Sequence, residues 1–556
     1  MNGIRIWLKS WSRRYWNSFS FVGLVFATLF FAASVTPSLL PRPYVVQGIL
    51  SGFSLAIGYG VGVFLVWLWQ FLELRQPTDK LNTWSKRVTT VIVAIVFFLF
   101  VRQSAAWQNS IRELMEMPPV ETADPYRFFV IALIVAVFLV AITRSLILAG
   151  QVLSRRLGRY IPRRISIALS TLVVLTIAIL ISNGLIAKGL LRSADKFFLK
   201  LDEVTDDGIE QPSKSLICGN PDSLVSWDII GRRGKEFIVA GPTQESIFEF
   251  TGKDAKRPIR VYVGMSTDLE DSDKAKMALA ELKRVGGFDR KVLIIATPTG
   301  TGWLDEGAVD PIEYLHNGDT AIVATQYSYL PSWMTILVEP MRARHSATLL
   351  FNEIYDYWTT LPKQERPELY LFGLSLGSFG SEGSAELIST FEDPIQGAVR
   401  SGPPFPSGGW ASIVAAREEG SPIWMPKYRD SSMIRFTAQT NHLQTNERWG
   451  PIRDVYIQYA SDPMVWFSPR LAWRCPQWLN EPRGPDVSPA LRWYPIVTFL
   501  QVGFDLPMAT SVPIGYGHNY SPSSYIDAWV AVTQPEGWNE KELIRLKKYF
   551  MPSTES

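Results

Sequence analysis

Cysteine is almost missing from this chain: its 556 residues include two, Cys218 and Cys475. Two thiols cannot form a zinc site by themselves. If the second half of the chain lies outside the cytoplasm they could form one disulfide. Charge of one sign is also missing. With 55 basic against 52 acidic residues and a net charge of +3, nothing favours nucleic acid as the main partner. Charged residues make up only 19% of the chain. No glycine-rich stretch is followed by Lys-Ser/Thr, which excludes a P-loop, and no G-x-G-x-x-G opens a helix with an acid at dinucleotide-binding distance. His, Cys, Asp and Glu nowhere cluster at ligand spacing, so neither a metal nor an organic cofactor is expected. Internal repeats and low-complexity tracts are lacking too.

Aromatic side chains and long apolar runs are abundant. Aromatics reach 13%, and the 20 tryptophans suit a membrane interface. A length of 556 residues makes two parts the natural expectation. Residues 1–190 read as a membrane domain of five transmembrane helices: about Phe19–Leu40, Val45–Leu72, Val88–Trp107, Phe128–Ala149 and Ile165–Ile186. Each is near the ~20 residues a bilayer requires. The first is not read as a cleaved signal peptide, because Pro37, Pro41 and Pro43 follow it and more spans come after. Lys9, Arg13 and Arg14 precede the first run. Arg75, Lys80, Lys86 and Arg87 lie between the second and third, and Arg155, Arg156, Arg159, Arg163 and Arg164 between the fourth and fifth. The loop with Glu113, Glu116, Glu121 and Asp124 is acidic. The positive-inside rule then puts the N-terminus in the cytoplasm and everything beyond about residue 190 outside a cell (inner) membrane. Gly58 and Gly62 form a small-xxx-small pair suited to close helix packing. No span holds the paired acidic and basic residues of a transporter.

Residues 191–224 are polar and read as a juxtamembrane linker. Residues 225–556 alternate strand and helix patterns: strands at Ile259–Val263, Val292–Thr297, Ala321–Gln326, Leu369–Phe372, Gly397–Arg400 and Val455–Tyr459, with helical spacing at Lys274–Val285 and Met341–Trp358. That alternation predicts a mostly parallel, doubly wound sheet. The stretch 402–450, rich in Pro, Gly, Ser and Trp, breaks the rhythm. It reads as an insertion, either a cap or a solvent loop, with a possible strand at Ile434–Ala438.

The apolar run Leu369–Phe372 leads into Gly373-Leu-Ser375-Leu-Gly377. This is the G-x-S-x-G spacing of a nucleophile elbow, in which flanking glycines admit the neighbouring chain at a sharp strand-to-helix turn. A serine hydroxyl needs a base, usually a histidine held by a carboxylate. The chain has only four histidines, and in the order Ser, acid, His only His442 and His518 follow Ser375. Asp462 stands directly beyond a strand, where open parallel sheets present functional groups. His518 lies in the glycine-bearing loop Gly515-Tyr-Gly-His518. The expected triad is therefore Ser375 as nucleophile, His518 as base and acid, and Asp462 as orienter. Asp486 and Asp505 are the fallback acids and His442 the fallback base. His316 and His345 precede the serine and are expected to have structural or surface roles. For the oxyanion, the Leu376 amide is one expected donor. Gly300 and Thr301 lie in the loop after Val292–Thr297 and supply the other, with Thr301 favoured.

The runs Thr297-Pro-Thr-Gly-Thr-Gly-Trp303, Gln326-Tyr-Ser-Tyr-Leu-Pro-Ser-Trp333, Gly373-Leu-Ser-Leu-Gly377 and Ser401-Gly-Pro-Pro404 resemble the bacterial alpha/beta-hydrolase family that carries its own multi-pass N-terminal membrane domain. The resemblance covers nearly the whole chain. It implies an α/β-hydrolase fold and a serine hydrolase site at Ser375, and it gives no substrate. The expected function is a membrane-anchored extracytoplasmic esterase or lipase-like hydrolase acting on a lipid-like acyl ester at the bilayer. Acyl transfer to an envelope alcohol or sugar, and an inactive scaffold of the same fold, are the alternatives.

Overall fold

The computed structural model describes residues 19–75, 78–180, 188–202, 204–265, 269–384 and 392–551. The chain folds as two compact units. One is Met1–Gly189 with Ser468–Leu479 and Val487–Met508, and the other is Leu190–Phe467 with Asn480–Asp486 and Ala509–Ser556.

The first unit holds α1 (Phe21–Ser34), α2 (Tyr44–Phe71), α3 (Asp79–Arg112), α4 (Pro125–Leu157) and α5 (Arg163–Leu180). Among the described residues, four helices are long and apolar enough to cross a membrane, and these correspond to α2–α5. The expected run Phe19–Leu40 is helical only over Phe21–Ser34, 14 residues. At ~1.5 Å per residue this is about 21 Å, short of the ~30 Å hydrocarbon core. Pro37, three residues past the helix end, bars its continuation, since proline lacks the donor and restricts the residue before it. Lys9, Arg13, Arg14 and the end of the Ile165–Ile186 run lie outside the described residues.

Glycine sets how closely α2 approaches its neighbours. A Cβ on Gly58 would stand 2.6 Å from Phe26 O, and one on Gly62 would stand 2.5 Å from Val22 O, both in α1. Nearer the start of α2, a Cβ on Gly48 or Gly52 would stand 2.9 Å from the carbonyl oxygens of Phe128 and Ala132 in α4. The chain from Val35 to Arg42 is not helical, yet it is buried, so its backbone needs partners. Part of them comes from the helix Val497–Asp505. Gln501 Nε2 donates to Thr36 O at 2.9 Å, and Asp505 Oδ2 accepts from the Leu39 amide at 3.1 Å.

Helix α6 (Lys188–Asp202) leads into the second unit and ends at a carboxylate packed against the start of α7 (Gly231–Val239), where a Cβ on Gly231 would stand 2.5 Å from Asp202 Oδ2. Seven parallel strands follow: β1 (Ile259–Val263), β2 (Val292–Thr297), β3 (Thr320–Thr325), β4 (Glu368–Leu374), β5 (Gly397–Ser401), β6 (Ile434–Thr437) and β7 (Arg453–Ile457). Their order is β1-β3-β2-β4-β5-β7-β6. β1, β2, β3 and β5 are buried along their whole length. That is why they read as unbroken apolar runs rather than alternating ones. Helix α8 (Asp271–Arg284) packs on α10 (Met341–Thr360), which packs on α11 (Leu376–Ser384). A separate group is formed by α9 (Glu306–Leu315), α12 (Pro522–Thr533) and α13 (Glu540–Phe550). The irregular stretch 402–450 supplies β6, the edge strand of the sheet. No disulfide joins Cys218 and Cys475, so the bridge open from the sequence is not formed.

Candidate active site

Ser375 sits between β4 and α11 in the left-handed region, at φ +61°. A serine there is strained and is held by its surroundings. Its amide donates to Ser401 O at the end of β5, at 2.9 Å. The flanking glycines are required sterically. A Cβ on Gly373 would stand 2.3 Å from the Gly377 carbonyl carbon, and one on Gly377 would stand 2.1 Å from Thr297 O. The turn is thus pressed against the end of β2, where no side chain fits.

Asp462 lies beyond β7 and caps the short helix Pro463–Trp466. Its Oδ1 accepts the Met464 amide at 2.8 Å. Its Oδ2 lies 2.6 Å from His518 Nδ1 and accepts the Tyr520 hydroxyl at 2.7 Å. The carboxylate is fully buried. Pairing it with Nδ1 places that nitrogen's proton on the carboxylate side and leaves Nε2 with its lone pair. Burial pushes the Tyr520 phenol well above its ordinary value, with Asp462 adding to the effect, so it stays a donor. The His518 loop is closed by Gly515 N donating to Asn519 O at 2.7 Å. It is pinned by His518 N donating to Ala509 O at 2.8 Å.

Ser375 and His518 are 1% and 8% exposed, and neither Ser375 Oγ nor His518 Nε2 has a hydrogen-bond partner. Gly402 connects their surroundings. The residue before it accepts the Ser375 amide, and a Cβ on Gly402 would stand 2.5 Å from His518 Cε1. The structure therefore brings Asp462 and His518 into a hydrogen bond and sets the imidazole beside the strand end that holds the serine.

The loop after β2 is fixed by the two long sequence runs locking together and by a tyrosine of β1. Tyr327 donates to Pro298 O at 3.1 Å, Gly300 N to Ser332 Oγ at 3.0 Å, and Tyr262 to Gly302 O at 2.7 Å. A Cβ on Gly300 would stand 2.4 Å from Leu330 O, which makes glycine necessary there. The Gly300 amide is thereby taken by Ser332. Among the described residues, the amides of Thr301 and Leu376 have no hydrogen-bond acceptor.

The other candidates take no part in the Asp462–His518 hydrogen bond. Asp505 belongs to the first unit, bonded to Leu39. Asp486 accepts Ser461, not a histidine. His442 and His345 are exposed. His316 is buried, its Nε2 2.9 Å from Thr533 Oγ1. Reading the sequence did not single out Tyr520, Ser332 or Gly402. Tyr520 is two residues from His518 and was findable as a neighbouring hydroxyl, whereas the other two act through contacts that no spacing reveals.

Residues 259–546 match the model of a family described as the alpha/beta-hydrolase family, and residues 35–242 match that of the alpha/beta-hydrolase family N-terminus. Comparison with curated proteins and with solved structures gives no match.

Proposed function

The chain belongs to the alpha/beta-hydrolase family, and from that premise we propose that it is a serine hydrolase of the esterase or lipase-like kind. The observation that carries this reading is the 2.6 Å His518–Asp462 bond beside a left-handed Ser375, with Oγ and Nε2 both buried and unspent. Ser375 Oγ attacks the ester carbonyl while His518 Nε2 takes its proton, and Asp462 stabilises the imidazolium. The oxyanion receives the amides of Leu376 and Thr301, each such donor worth roughly 3 kcal/mol. The C–O bond to the leaving alcohol then breaks, and the alcohol takes the proton from His518. Water, activated by the same imidazole, releases the acid from the acyl-serine.

The substrate we propose is a lipid-like acyl ester met at a membrane. Trp67, Trp69 and Trp84, large and exposed on α2 and α3, support a bilayer setting. The positive-inside pattern supports an extracytoplasmic hydrolase unit, which a C-terminal tag accessible to protease from outside the cell would test. The burial of Ser375 favours a second reading, because a site that excludes water favours passing the acyl group to an alcohol.

A fluorophosphonate probe tests the proposal. Labelling of the wild type that is lost in Ser375→Ala supports it. Folded wild type that takes no label overturns it in favour of an inactive scaffold. A short acyl ester with and without an added alcohol separates hydrolysis from transfer.

A further inference from the structure

We propose that Asp486 is a positioning residue for His518, acting through the hydroxyl of Ser461. This rests on the reading of His518 as the base. Asp486 is buried, and its Oδ2 accepts three donors: Ser461 N at 3.1 Å, Ser461 Oγ at 2.6 Å and Gln439 Nε2 at 2.9 Å. The Ser461 oxygen in turn accepts the Gly517 amide at 2.9 Å. Ser461 immediately precedes Asp462, and Gly517 immediately precedes His518. One hydroxyl thus clips together the two loops whose next residues form the acid–imidazole bond.

The direction of the clip depends on the carboxylate. A serine hydroxyl has one proton and two lone pairs. With the proton committed to Asp486, a lone pair is left facing Gly517 N–H. Without Asp486 the hydroxyl rotates freely and Gly517 loses a fixed acceptor. The geometry leaves little slack. A Cβ on Gly484 would stand 2.1 Å from Ala460 Cβ, so the chain carrying Asp486 is pressed against the residue before Ser461. Gly517 itself has φ +57°, which lets its amide turn toward the clip. The other fixed point of the loop is the His518 amide on Ala509 O. These two supports are the last residue before the chain leaves this unit and the first after it returns.

The test uses the full-length protein in detergent with 15N-labelled histidine. Four histidines keep the spectrum simple. The far-downfield Nδ1–H signal of the Asp462-bonded imidazole is assigned by its loss in His518→Ala. Asp486→Ala and Ser461→Ala are expected to shift or broaden that signal. They should also lower kcat on a p-nitrophenyl short-chain ester by ~10–100-fold with KM nearly unchanged, the scale of a small misplacement of a reacting group. Asp486→Asn keeps an oxygen for Ser461 and should restore most of both. If Asp486→Ala does not fold, the smaller change Ser461→Ala carries the test. A folded Ser461→Ala with unchanged signal and unchanged kcat overturns the proposal. Full activity in His518→Ala would instead sink the reading of the base, and the signal of the Asp462-bonded imidazole would still decide the role of the clip.

Discussion

Gly402 leaves no room between itself and His518: a Cβ there would stand 2.5 Å from Cε1 and 2.9 Å from Nδ1 of the imidazole. Its φ of +53° also disfavours any side chain. Gly402→Ala is therefore expected to push the ring off Asp462 and lower kcat/KM by ~100-fold or more, the cost of about 1 Å of misplacement. Steady-state kinetics with a melting curve decide it. A folded Gly402→Ala enzyme of wild-type activity would show that the ring is not held where the structure has it.

Tyr520 and His518 share Asp462 Oδ2. Removing the phenol in Tyr520→Phe takes one charge-assisted donor, worth ~1.5–3 kcal/mol, from a buried carboxylate. Part of that is expected in the imidazolium-forming step, as a kcat about tenfold lower, and the rest as a lower melting temperature. Asp462→Asn should cost far more, on the order of 10⁴ in kcat, by holding the wrong imidazole tautomer. Equal activity of the two variants would contradict this ranking.

His316 gives a pH prediction. Burial, with Lys291 adding to it, pushes its pKa down to about 4, against ~6.5 in an unfolded chain. As pH falls below ~6.5 the unfolded chain takes the proton first, so stability is lost until about pH 4, by at most ~1.4 kcal/mol per pH unit. His316→Gln keeps a partner for Thr533 and removes the titration. Melting temperatures from about pH 7 to 4 should fall less steeply in the variant. Parallel curves would refute the assignment.

Burial pushes the Cys218 thiol up to about 12, and its Sγ donates to Tyr262 O at 3.8 Å. In Cys475→Ser, a water-soluble maleimide near neutral pH should leave the native protein unlabelled and label it fully once denatured, read by intact mass. Stoichiometric labelling of the native variant would count against the packing around β1.

Much of the second unit was legible because its strands are buried on both faces and so stand out as apolar runs between helical patterns. The elbow was legible because Gly373 and Gly377 are demanded by backbone contacts under 2.5 Å. Asp462 and His518 were paired from chain order, from a position just beyond a strand and from a glycine-bearing loop, and in the structure they lie 2.6 Å apart. The Asp486–Ser461–Gly517 clip was not legible, since polar contacts across 25 and 56 positions leave no periodic trace. The shortness of α1 was written in Pro37 but outweighed by the apolar run around it. Val497–Asp505, with nine residues, is too short to announce itself as part of a membrane-type unit.

That last helix has a practical consequence. Phe504 packs its ring against that of Phe53, tilted and 5.7 Å between centroids, and Gln501 and Asp505 serve the backbone of residues 36 and 39. Severing the chain near residue 190 would not liberate a self-sufficient water-soluble domain. It would leave a stretch of the remaining polypeptide bereft of its apolar cover and of the carbonyls and amides it was built to meet. Solubilising the globular half by truncation requires redesigning 468–479 and 487–508 as well.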